Sequence, residues 1–594
     1  MFEVLSHPIN VEEILRKRKS LKEELLNYTR KRIEIKIAVL GGSTTSEFVE
    51  ILDLFLLSRG FEVTFYESEY NKYYEEAVFE NTKLSKFKPD IIYLHTTNLN
   101  ITSYPDLSNE PDQINDLVDK ELEKFKSIWE ELTRYNSMVI QNNFELPQRR
   151  ILGNLDSYDI HGAINFINRL NDGFAKEASL NKSLVLNDIN YISAQVGLSA
   201  WFNKNLWYLA KYAISFEAMP HLALNLTNII SSMYGKSKKC LVLDLDNTLW
   251  GGVIGDDGLE GIKIGSETAD SEAFLDFQKS IKKFKERGIT LAVSSKNDLD
   301  NAELGFDHPD SILKVDDFTS FKANWEPKNI NISNIAKEIN IGTDSLVFID
   351  DNPSERELVS SQLEGISVPN IGTDVSNFIE HVDSNGYFET ISLSEEDVQR
   401  SKYYSENIKR SKETPKFKNY DDFLDSLKME AEIKEFSSIY LDRITQLTNR
   451  TNQFNLTTKR YSISEMDKVF SDKNYIKLYG RLKDKFGDNG LISVVVGSIK
   501  KNILHIDLWL MSCRVLKRGM EFAMLDVLVS KAKDQNVKAI IGYYSRTNKN
   551  KIVEKFYNEL GFILIEESED ASKWSLEVET YSPLKHSIQL VDNK

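Results

Sequence analysis

The stretch 241-LVLDLDNTLW-250 decides the fold of the middle of this chain. Its apolar residues read as one buried strand, yet Asp244 lies inside that strand and Asp246 ends it. A buried carboxylate without a partner is costly. Side chains alternate along a strand, so the two carboxylates share a face near its carboxyl end. Two like charges this close need a counter-charge, and Mg²⁺, a hard cation that prefers oxygen ligands, can supply it.

A carboxylate pair beside a metal ion suits phosphoryl chemistry. One carboxylate attacks phosphorus, the other moves a proton, and the metal neutralises charge. The phosphate oxygens also need hydrogen-bond donors and positive charge. Ser295 ends a predicted strand and can donate to a phosphate oxygen, and Lys328 can pair with the phosphate. Asp350 and Asp351 end another predicted strand and can complete the metal site.

Predicted strands and helices alternate along much of the chain, which indicates parallel α/β sheets. Residues 35–60 read as strand, Gly-rich turn and helix, and 62–68 and 90–98 read as further strands. The turn 41-GGSTT-45 falls at the carboxyl edge of the first strand, where open α/β sheets bind ligands. Further predictions are strands at 289–295 and 345–351, a helix at 271–288, strands within 490–511, and helices at 518–536 and 548–561.

Composition and charge exclude several classes of protein and of binding site. The chain has 594 residues, too many for one core, and 41% of them are hydrophobic. A net charge of −17 argues against a nucleic-acid binder or an anionic-membrane binder. No apolar run reaches membrane-spanning length, and no signal peptide is recognisable, so a cytoplasmic protein is expected. Two cysteines exclude a disulfide framework, and no histidine pair has the spacing of zinc ligands.

The motifs resemble a known superfamily. In chain order, 244-DLDNT-248, Ser295, Lys328 and 350-DD-351 resemble the four motifs of haloacid dehalogenase-like (HAD) phosphotransferases. Within that superfamily the chain resembles the FkbH family. That resemblance is carried by 243-LDLDNTLWGGVIGDDG-258, 294-SSKN-297, 349-IDDNPSERE-357 and, near the C-terminus, 509-WLMSCRVLKRGMEFAML-525.

The resemblance implies a role for each motif residue. Asp244 would be the nucleophile that accepts the phosphate, and Asp246 the general acid and base, bound to the metal through its main-chain carbonyl. The implied Mg²⁺ ligands are Asp244, Asp246, Asp350 and Asp351. The residues implied to bind phosphate are Asn247, Thr248, Ser295, Lys296 and Lys328.

FkbH-like proteins resemble enzymes that take a glyceryl unit from 1,3-bisphosphoglycerate, remove its phosphate and load it on an acyl carrier protein. An acyl acceptor is then needed, and a thiolate attacks an acyl phosphate readily. Cys513 in 512-SCR-514 is the candidate, and Arg514 and Arg518 could lower its pKa. The alternative for Cys513 is the usual fate of a free cysteine, a small buried hydrophobe. Cys240, at the start of a buried strand, is expected in the core.

The part from about residue 431 resembles a GNAT acyltransferase fold. In that fold the helix predicted at 518–536 begins where a pantetheine pyrophosphate binds, which suggests Arg514, Arg518 and Gly519 as ligand contacts. The string 514-RVLKRGME-521 departs from the family's Gly-rich turn, so the phosphopantetheine arm of a carrier protein is an alternative to acetyl-CoA. Asn452, in a polar stretch, could line the substrate or belong to a plain loop.

The N-terminal part resembles a degenerate SGNH hydrolase. Ser43 would stand at the nucleophile position and Asn98 at the oxyanion position. The family's late Asp-x-x-His is not preserved, because Tyr191 stands where the histidine belongs, and nothing in the sequence shows that His221 replaces it. A vestigial site with a binding or scaffold role is therefore expected.

These resemblances give a multidomain α/β protein. The expected parts are an N-terminal helix at 1–32, an SGNH-like, flavodoxin-like domain at 33–230, a Rossmann-like HAD core at 231–393, a helical linker at 394–430 and a GNAT-like α+β domain at 431–594. The favoured function is Mg²⁺-dependent phosphate removal coupled to glyceryl transfer through Cys513 to a carrier-protein thiol. The alternatives are a stand-alone phosphatase on a sugar or glycerate phosphate in polysaccharide or secondary-metabolite biosynthesis, and a non-catalytic scaffold that docks the carrier.

Overall fold

The computed structural model describes residues 3–28, 32–451, 453–547 and 549–591, and for Glu3 and Cys513 only the backbone. The chain divides into two compact units, Met1–Ser232 with Ser462–Glu465, and Met233–Tyr461 with Met466–Lys594. Within the described ranges, no helix combines the length and the apolar character that crossing a membrane requires.

The first unit is built on a parallel sheet. Its strands are β1 (Ile33–Gly41), β2 (Phe61–Glu67), β3 (Ile91–His95), β4 (Met138–Asn142) and β5 (Leu184–Asn187). Its helices are α1 (Val11–Asn27), α2 (Ser46–Ser58), α3 (Tyr73–Val78), α4 (Thr82–Phe87), α5 (Pro111–Leu132), α6 (Ala163–Leu180), α7 (Ile189–Val196), α8 (Leu198–Trp201), α9 (Lys204–Ala210) and α10 (Met219–Met233). The strand order β2-β1-β3-β4-β5 is the flavodoxin-like order, as predicted.

Aromatic packing fixes helices α5 and α6 against this sheet. The rings of Phe125 and Trp129 on α5 lie 4.9 Å and 5.0 Å from the ring of Phe174 on α6. Phe144, just after β4, packs edge-on against Phe125 at 5.6 Å. Each such pair contributes about 0.5–1.5 kcal/mol beyond the area that it buries. The loops that follow β3, β4 and β5 therefore start from a rigid base.

The second unit begins with another parallel sheet. Its strands are β6 (Cys240–Leu243), β7 (Thr290–Ser295), β8 (Ser320–Ala323) and β9 (Leu346–Ile349), in the order β8-β7-β6-β9. Its helices are α11 (Ile254–Gly261), α12 (Ala269–Glu286), α13 (Leu299–Leu304), α14 (Lys328–Ile339), α15 (Pro353–Gln362) and α16 (Phe378–Asp383). Alternate residues of β6 face opposite cores: Leu241 and Leu243 pack in one, Cys240 and Val242 in the other. Cys240 is thus a core residue.

Strand β6 is shorter than the sequence suggested. It ends at Leu243, so Asp244 lies just beyond the strand rather than inside it. The Asp244 amide still donates to the Ile349 carbonyl at 3.0 Å, which extends the pairing with β9 by one hydrogen bond. The carboxylate is thereby fixed at the edge of the sheet without occupying its core.

The segment predicted as a linker forms α17 (Glu395–Val398), α18 (Arg400–Glu413) and α19 (Tyr420–Ser426). Tyr404 and Ile408 on α18 are buried in the core around β6 and β9. Arg410, two residues further, makes two hydrogen bonds to Asp484 in the C-terminal sheet, at 2.7 Å and 2.8 Å. Helix α18 is therefore packed on both sides rather than exposed between domains.

The C-terminal part is a mixed sheet. Its strands are β10 (Met429–Glu435), β11 (Tyr475–Asp484), β12 (Gly487–Lys500), β13 (Ile503–Met511), β14 (Ala539–Ser545), β15 (Ile563–Glu567), β16 (Ala571–Glu577) and β17 (Ile588–Leu590). Its helices are α20 (Leu441–Arg450), α21 (Ile463–Ser471), α22 (Met520–Asp534) and α23 (Phe556–Glu559). The helix predicted at 548–561 is wrong in extent, because among the described residues 549–561 only α23 and a 3-10 turn at Lys551–Val553 form. The multidomain α/β class is confirmed.

Candidate active site

The carboxyl ends of the parallel strands β6 to β9 meet at one edge of their sheet. This edge carries Asp244 after β6, Ser295 at the end of β7 and Asp350 after β9. Lys328 joins them from the first position of α14, which follows β8. Residues that are far apart in the sequence are thus gathered because each one ends or follows a strand of the same sheet.

Lys328 lies between two carboxylates. Its Nζ is 2.8 Å from Asp244 Oδ2 and 2.5 Å from Asp350 Oδ2, and its side chain is 3% exposed. Burial alone would lower the pKa of the Lys328 ammonium, but the two carboxylates outweigh it and raise that pKa. The ammonium therefore stays charged and provides a fixed positive charge beside the Asp244 carboxylate.

Three carboxylates at this edge can hold a metal ion. One oxygen from each of Asp244, Asp350 and Asp351 lies within 4.8 Å of the others. Asp244 Oδ1 is fully buried and has no hydrogen-bond partner among the described residues. Burial and the nearby Asp244 raise the pKa of Asp350 to about 6, and the same two causes raise the pKa of Asp351. A hard divalent cation would both neutralise this cluster and use the free oxygen, so the residues fit one.

The Asp246 carboxylate is held by a different set of contacts. Its Oδ1 accepts hydrogen bonds from Trp250 Nε1 and the Ile254 amide, and its Oδ2 accepts one from Asn297 Nδ2, all at 3.0 Å. It does not belong to the described carboxylate cluster. Burial raises the pKa of Asp246, which suits a group that must carry a proton. A metal contact through its main-chain carbonyl stays a prediction.

The residues expected to bind phosphate have different surroundings. Ser295 is buried at the strand end, whereas Lys296 is 40% exposed and pairs with Glu355 at 2.6 Å. The backbone of Asn247 is left-handed, with φ of +55°, and its side chain accepts a hydrogen bond from the Gly252 amide at 2.9 Å. The Thr248 hydroxyl accepts one from the Asp351 amide at 3.3 Å. Asn247 and Thr248 thus shape the loop, and Lys296 is engaged by an acid.

Two supporting residues were missed by the sequence reasoning. Asn297, only 4% exposed, orients Asp246 as described above. Arg356 donates to the carbonyls of Asp350 and Asp351 at 2.7 Å and 2.8 Å and so fixes the loop after β9. Both lie inside the strings 294-SSKN-297 and 349-IDDNPSERE-357, and a polar side chain next to a strand-end acid was the available signal.

The C-terminal candidates are engaged by other parts of the unit. Arg514 donates to the Asn489 carbonyl at 2.8 Å, and its guanidinium lies 4.3 Å from the centre of the Tyr403 ring. Arg518 is buried, with its guanidinium 3.2 Å from Asp484 and 2.7 Å from the Asn407 side chain. We expected both guanidinium groups to be free to bind an anion, but in the structure each one contacts other protein groups.

The remaining C-terminal candidates are placed only in part. Gly519 caps the N-terminus of α22 with a left-handed backbone, φ +80°. Cys513 begins a 3-10 turn that follows β13, and its side chain lies outside the described atoms, as does the whole of Asn452. The roles suggested for these three residues stay predictions.

The N-terminal candidates lie after β1 and β3. Ser43 is 2% exposed, and its hydroxyl has no hydrogen-bond partner among the described residues. The Asn98 side chain donates to the carbonyls of Glu145 and Leu146, at 3.3 Å each. Its amide is therefore occupied by the chain itself. The side chain of Tyr191, at the position of the missing histidine, is 65% exposed.

Comparison with known proteins identifies the family. The family described as "FkbH, N-terminal domain" matches residues 36–231. The solved N-terminal part of the protein BF1531 from Bacteroides fragilis, described as containing a phosphatase domain complexed with Mg, is 32% identical, with a TM-score of 0.59. That match covers 63% of this chain and 99% of the other. The chain belongs to the FkbH family. The predicted family and the HAD-like middle domain are thus confirmed.

Other solved structures match a smaller part of this FkbH-family chain. The ribosomal-protein-S18-alanine N-acetyltransferase from Escherichia coli is 12% identical and covers 26% of this chain and 96% of its own, with a TM-score of 0.21. A PaiA N-acetyltransferase from Thermoplasma acidophilum, in complex with coenzyme A, is 16% identical and covers 25% and 99%, with a TM-score of 0.20. No protein of curated function matches the chain.

Proposed function

We propose that this FkbH-family chain is a Mg²⁺-dependent phosphatase of the HAD type. The observation that carries the proposal is the position of Asp244. One oxygen of its carboxylate lies 2.8 Å from the buried Lys328 ammonium, and the other is buried beside Asp350 and Asp351, with no donor among the described residues. Asp244, Asp350 and Asp351 would hold Mg²⁺, which supplies positive charge to the transferring phosphoryl group.

In the first step an Asp244 oxygen forms a bond to phosphorus while the bond from phosphorus to the leaving oxygen breaks. Asp246 gives its proton to that oxygen, and its raised pKa favours the protonated starting state. In the second step water attacks the phosphorus of the phosphorylated Asp244, the bond from phosphorus to the Asp244 oxygen breaks, and Asp246 takes a proton from that water. Lys328 and Ser295 bind the oxygens of the phosphoryl group throughout.

The proposed substrate is a phosphorylated glyceryl unit derived from a donor of the 1,3-bisphosphoglycerate type. The Cys513 thiolate attacks the acyl phosphate carbonyl, the bond from carbon to the phosphate oxygen breaks, and a thioester and inorganic phosphate form. The phosphopantetheine thiol of an acyl carrier protein then takes the acyl group and releases the Cys513 thiol. Family membership and the 512-SCR-514 string support this half. The proposal includes a cytoplasmic location.

The test is intact-mass spectrometry of the purified protein after incubation with Mg²⁺ and 1,3-bisphosphoglycerate. We expect a glyceryl adduct on the parent, a phosphoglyceryl adduct on Asp244→Asn, and no adduct on Cys513→Ala. Cys240→Ala is the matched control, because the Cys240 thiol is fully buried and burial raises its pKa. That variant should be acylated like the parent.

Other outcomes select the alternatives. Phosphate release without any adduct, unaffected by Cys513→Ala, would leave a stand-alone phosphatase acting on a sugar or glycerate phosphate. Carrier binding with neither adduct nor phosphate release, from this donor or from a general phosphatase substrate, would leave a docking scaffold. The proposed catalytic mechanism would then be wrong.

A further inference from the structure

One surface of the N-terminal unit exposes apolar and basic side chains together. It consists of residues 146–158, after β4, and residues 198–211, which include α8 and α9; we call it the apolar-basic surface. Its exposed apolar side chains, with their exposed fractions, are Ile151 (89%), Leu155 (40%), Tyr158 (72%), Tyr208 (72%) and Leu209 (85%). Single exposed apolar residues are ordinary, but a group on neighbouring loops marks an interaction site.

The two segments contact each other. The Gln148 side chain donates to the carbonyls of Leu198 and Phe202, at 2.8 Å and 3.3 Å. At the far end of α9, the Ala210 carbonyl accepts a hydrogen bond from the Thr44 hydroxyl at 2.7 Å, and the Lys211 carbonyl accepts one from the Thr44 amide at 3.0 Å. The surface is thus anchored to the carboxyl edge of the parallel sheet.

The exposed loop is also held in a fixed shape. Asp156 is 1% exposed, and its carboxylate accepts hydrogen bonds from the amides of Ile164 and Leu152, at 2.8 Å and 3.3 Å. Gly162 lies so close to Asp156 that an added Cβ would be 2.0 Å from the Asp156 carbonyl oxygen. A surface that is ordered in advance loses little conformational entropy on binding, which suits a docking site.

The charges of this surface are of one sign. Its cationic residues are Arg149, Arg150, Lys204 and Lys211, and its single acid, Asp156, is buried. The chain as a whole carries a net charge of −17, so this local excess of positive charge is opposite to the rest. A partner with an acidic surface would be attracted to it and steered toward it.

We infer that the apolar-basic surface docks the carrier protein of the proposed reaction, through an acidic and partly apolar face of that carrier. Apolar contacts from Ile151, Tyr208 and Leu209 would supply affinity, and the arginines at 149 and 150 would supply the encounter rate and selectivity. This inference rests on the carrier half of the proposed function. It assigns docking to a unit other than the one that holds the phosphatase residues.

The test measures binding of a fluorescently labelled, acidic holo-acyl carrier protein to the full-length chain by anisotropy, at low and at moderate salt. We expect the double charge reversal R149E/R150E and the single variant Ile151→Asp each to weaken binding about tenfold or more. We also expect the parent's affinity to fall as salt rises. Phosphate release from a small phosphate ester should be unchanged in all variants.

Matched controls come from α4 and from Phe79, the residue that follows α3; α4 leads into the amino end of β3, at the opposite edge of the sheet. K83E/K86E reverses two exposed lysines, and Phe79→Asp replaces a phenylalanine that is 63% exposed. Both should bind the carrier within about twofold of the parent. Circular dichroism melts of all variants check that the fold is intact.

Several results would overturn the inference. Binding by R149E/R150E and Ile151→Asp at the parent's affinity would refute the site but leave the carrier reaction standing. A parent chain that does not bind or load the carrier would refute the carrier half of the proposed function, and the inference with it, while phosphate release would still report on the phosphatase. Loss of a parent dimer in Ile151→Asp, or of binding to anionic vesicles in R149E/R150E, would assign the surface to self-association or to lipid instead.

Discussion

Replacing Lys328 by methionine tests the electrostatic arrangement of the phosphatase site most directly. The stem of the side chain is kept, but the ammonium that lies 2.8 Å from Asp244 and 2.5 Å from Asp350 is lost. Asp350 is fully buried, so both carboxylates then face each other without compensation. Removing one partner of a buried ion pair costs about 3–5 kcal/mol. We therefore expect Lys328→Met to destabilise the sheet around β6 and β9 by that amount.

The cost depends on pH and on Mg²⁺. The pKa of the Asp350 carboxyl is already raised to about 6, above its value in the unfolded chain. The neutral carboxyl therefore favours the folded state at low pH, and this contribution to stability is lost as the pH rises through 6. The destabilisation by Lys328→Met should therefore be larger at pH 8 than at pH 5. At pH 8, Mg²⁺ at about 100 times its dissociation constant should restore about 2.7 kcal/mol of the free energy of unfolding.

Hydrogen–deuterium exchange with mass spectrometry measures this locally, in peptides that contain β6 and β9. We expect protection there to fall about 100-fold or more in Lys328→Met without Mg²⁺, and to recover in large part when Mg²⁺ is added. Lys296→Met is the control: its partly exposed pair with Glu355 should be worth about 0–1 kcal/mol. If the two variants lose equal protection, or if Mg²⁺ protects neither, the proposed role of Lys328 as counter-charge in a metal site is refuted.

Three further perturbations test the fold around the sites. Burial raises the pKa of Glu145 to about 7, so Glu145→Gln should gain stability relative to the parent as the pH rises from 5 to 8, up to about 3 kcal/mol in denaturant titrations; a difference independent of pH would contradict this. Burial acts to raise the pKa of Asp397, but Arg450 and two other arginines hold it well below its usual range. Asp397→Asn should therefore lower the free energy of unfolding by about 3 kcal/mol at pH 7 and by less below pH 4. An equal loss at both pH values would exclude the ion pairs as its cause. Gly288 has φ of +94°, and an added Cβ would lie 1.9 Å from the Asp397 carbonyl oxygen, whereas Gly372 has φ of +69° and open space around it. Gly288→Ala should therefore lower the melting temperature far more than Gly372→Ala. Equal losses would show that backbone strain, and not the clash with Asp397, sets the loss of stability.

The middle domain could be predicted from the sequence because one physical rule locates its site. Strands β6, β7 and β9 are apolar runs that stop at a polar residue, and parallel strands bring their carboxyl ends together. Asp244, Ser295 and Asp350 could be assigned to one edge on that ground alone. The rule does not predict which acid a lysine will pair with. The ion pair of Lys296 with Glu355, in place of a phosphate contact, could therefore not be predicted.

The helix expected at 548–561 failed for a reason that lies elsewhere in the chain. The Asn550 side chain is fully buried and donates to the carbonyls of Asn455 and Ser545, at 3.0 Å and 2.9 Å. Its oxygen accepts a hydrogen bond from the Thr547 amide at 2.8 Å. These bonds give the backbone an alternative to helix, and a buried asparagine that is fully bonded outweighs local periodicity. The partner at residue 455 cannot be recognised from the local sequence.

Arg518 shows the same limit where function is concerned. Its place beside Gly519, at the start of a helix, favoured an anion-binding role, because helix N-termini and arginines both attract anions. Its guanidinium instead meets Asp484, which also binds Arg410 of α18. This ion pair depends on the turn between β11 and β12 and on the packing of α18, and neither can be recognised from the sequence around residue 518. A motif residue keeps its expected chemistry only when no closer partner in the fold has already engaged it. Asp244 Oδ1, which has no hydrogen-bond partner among the described residues, meets that condition, and the arginine beside Gly519 does not.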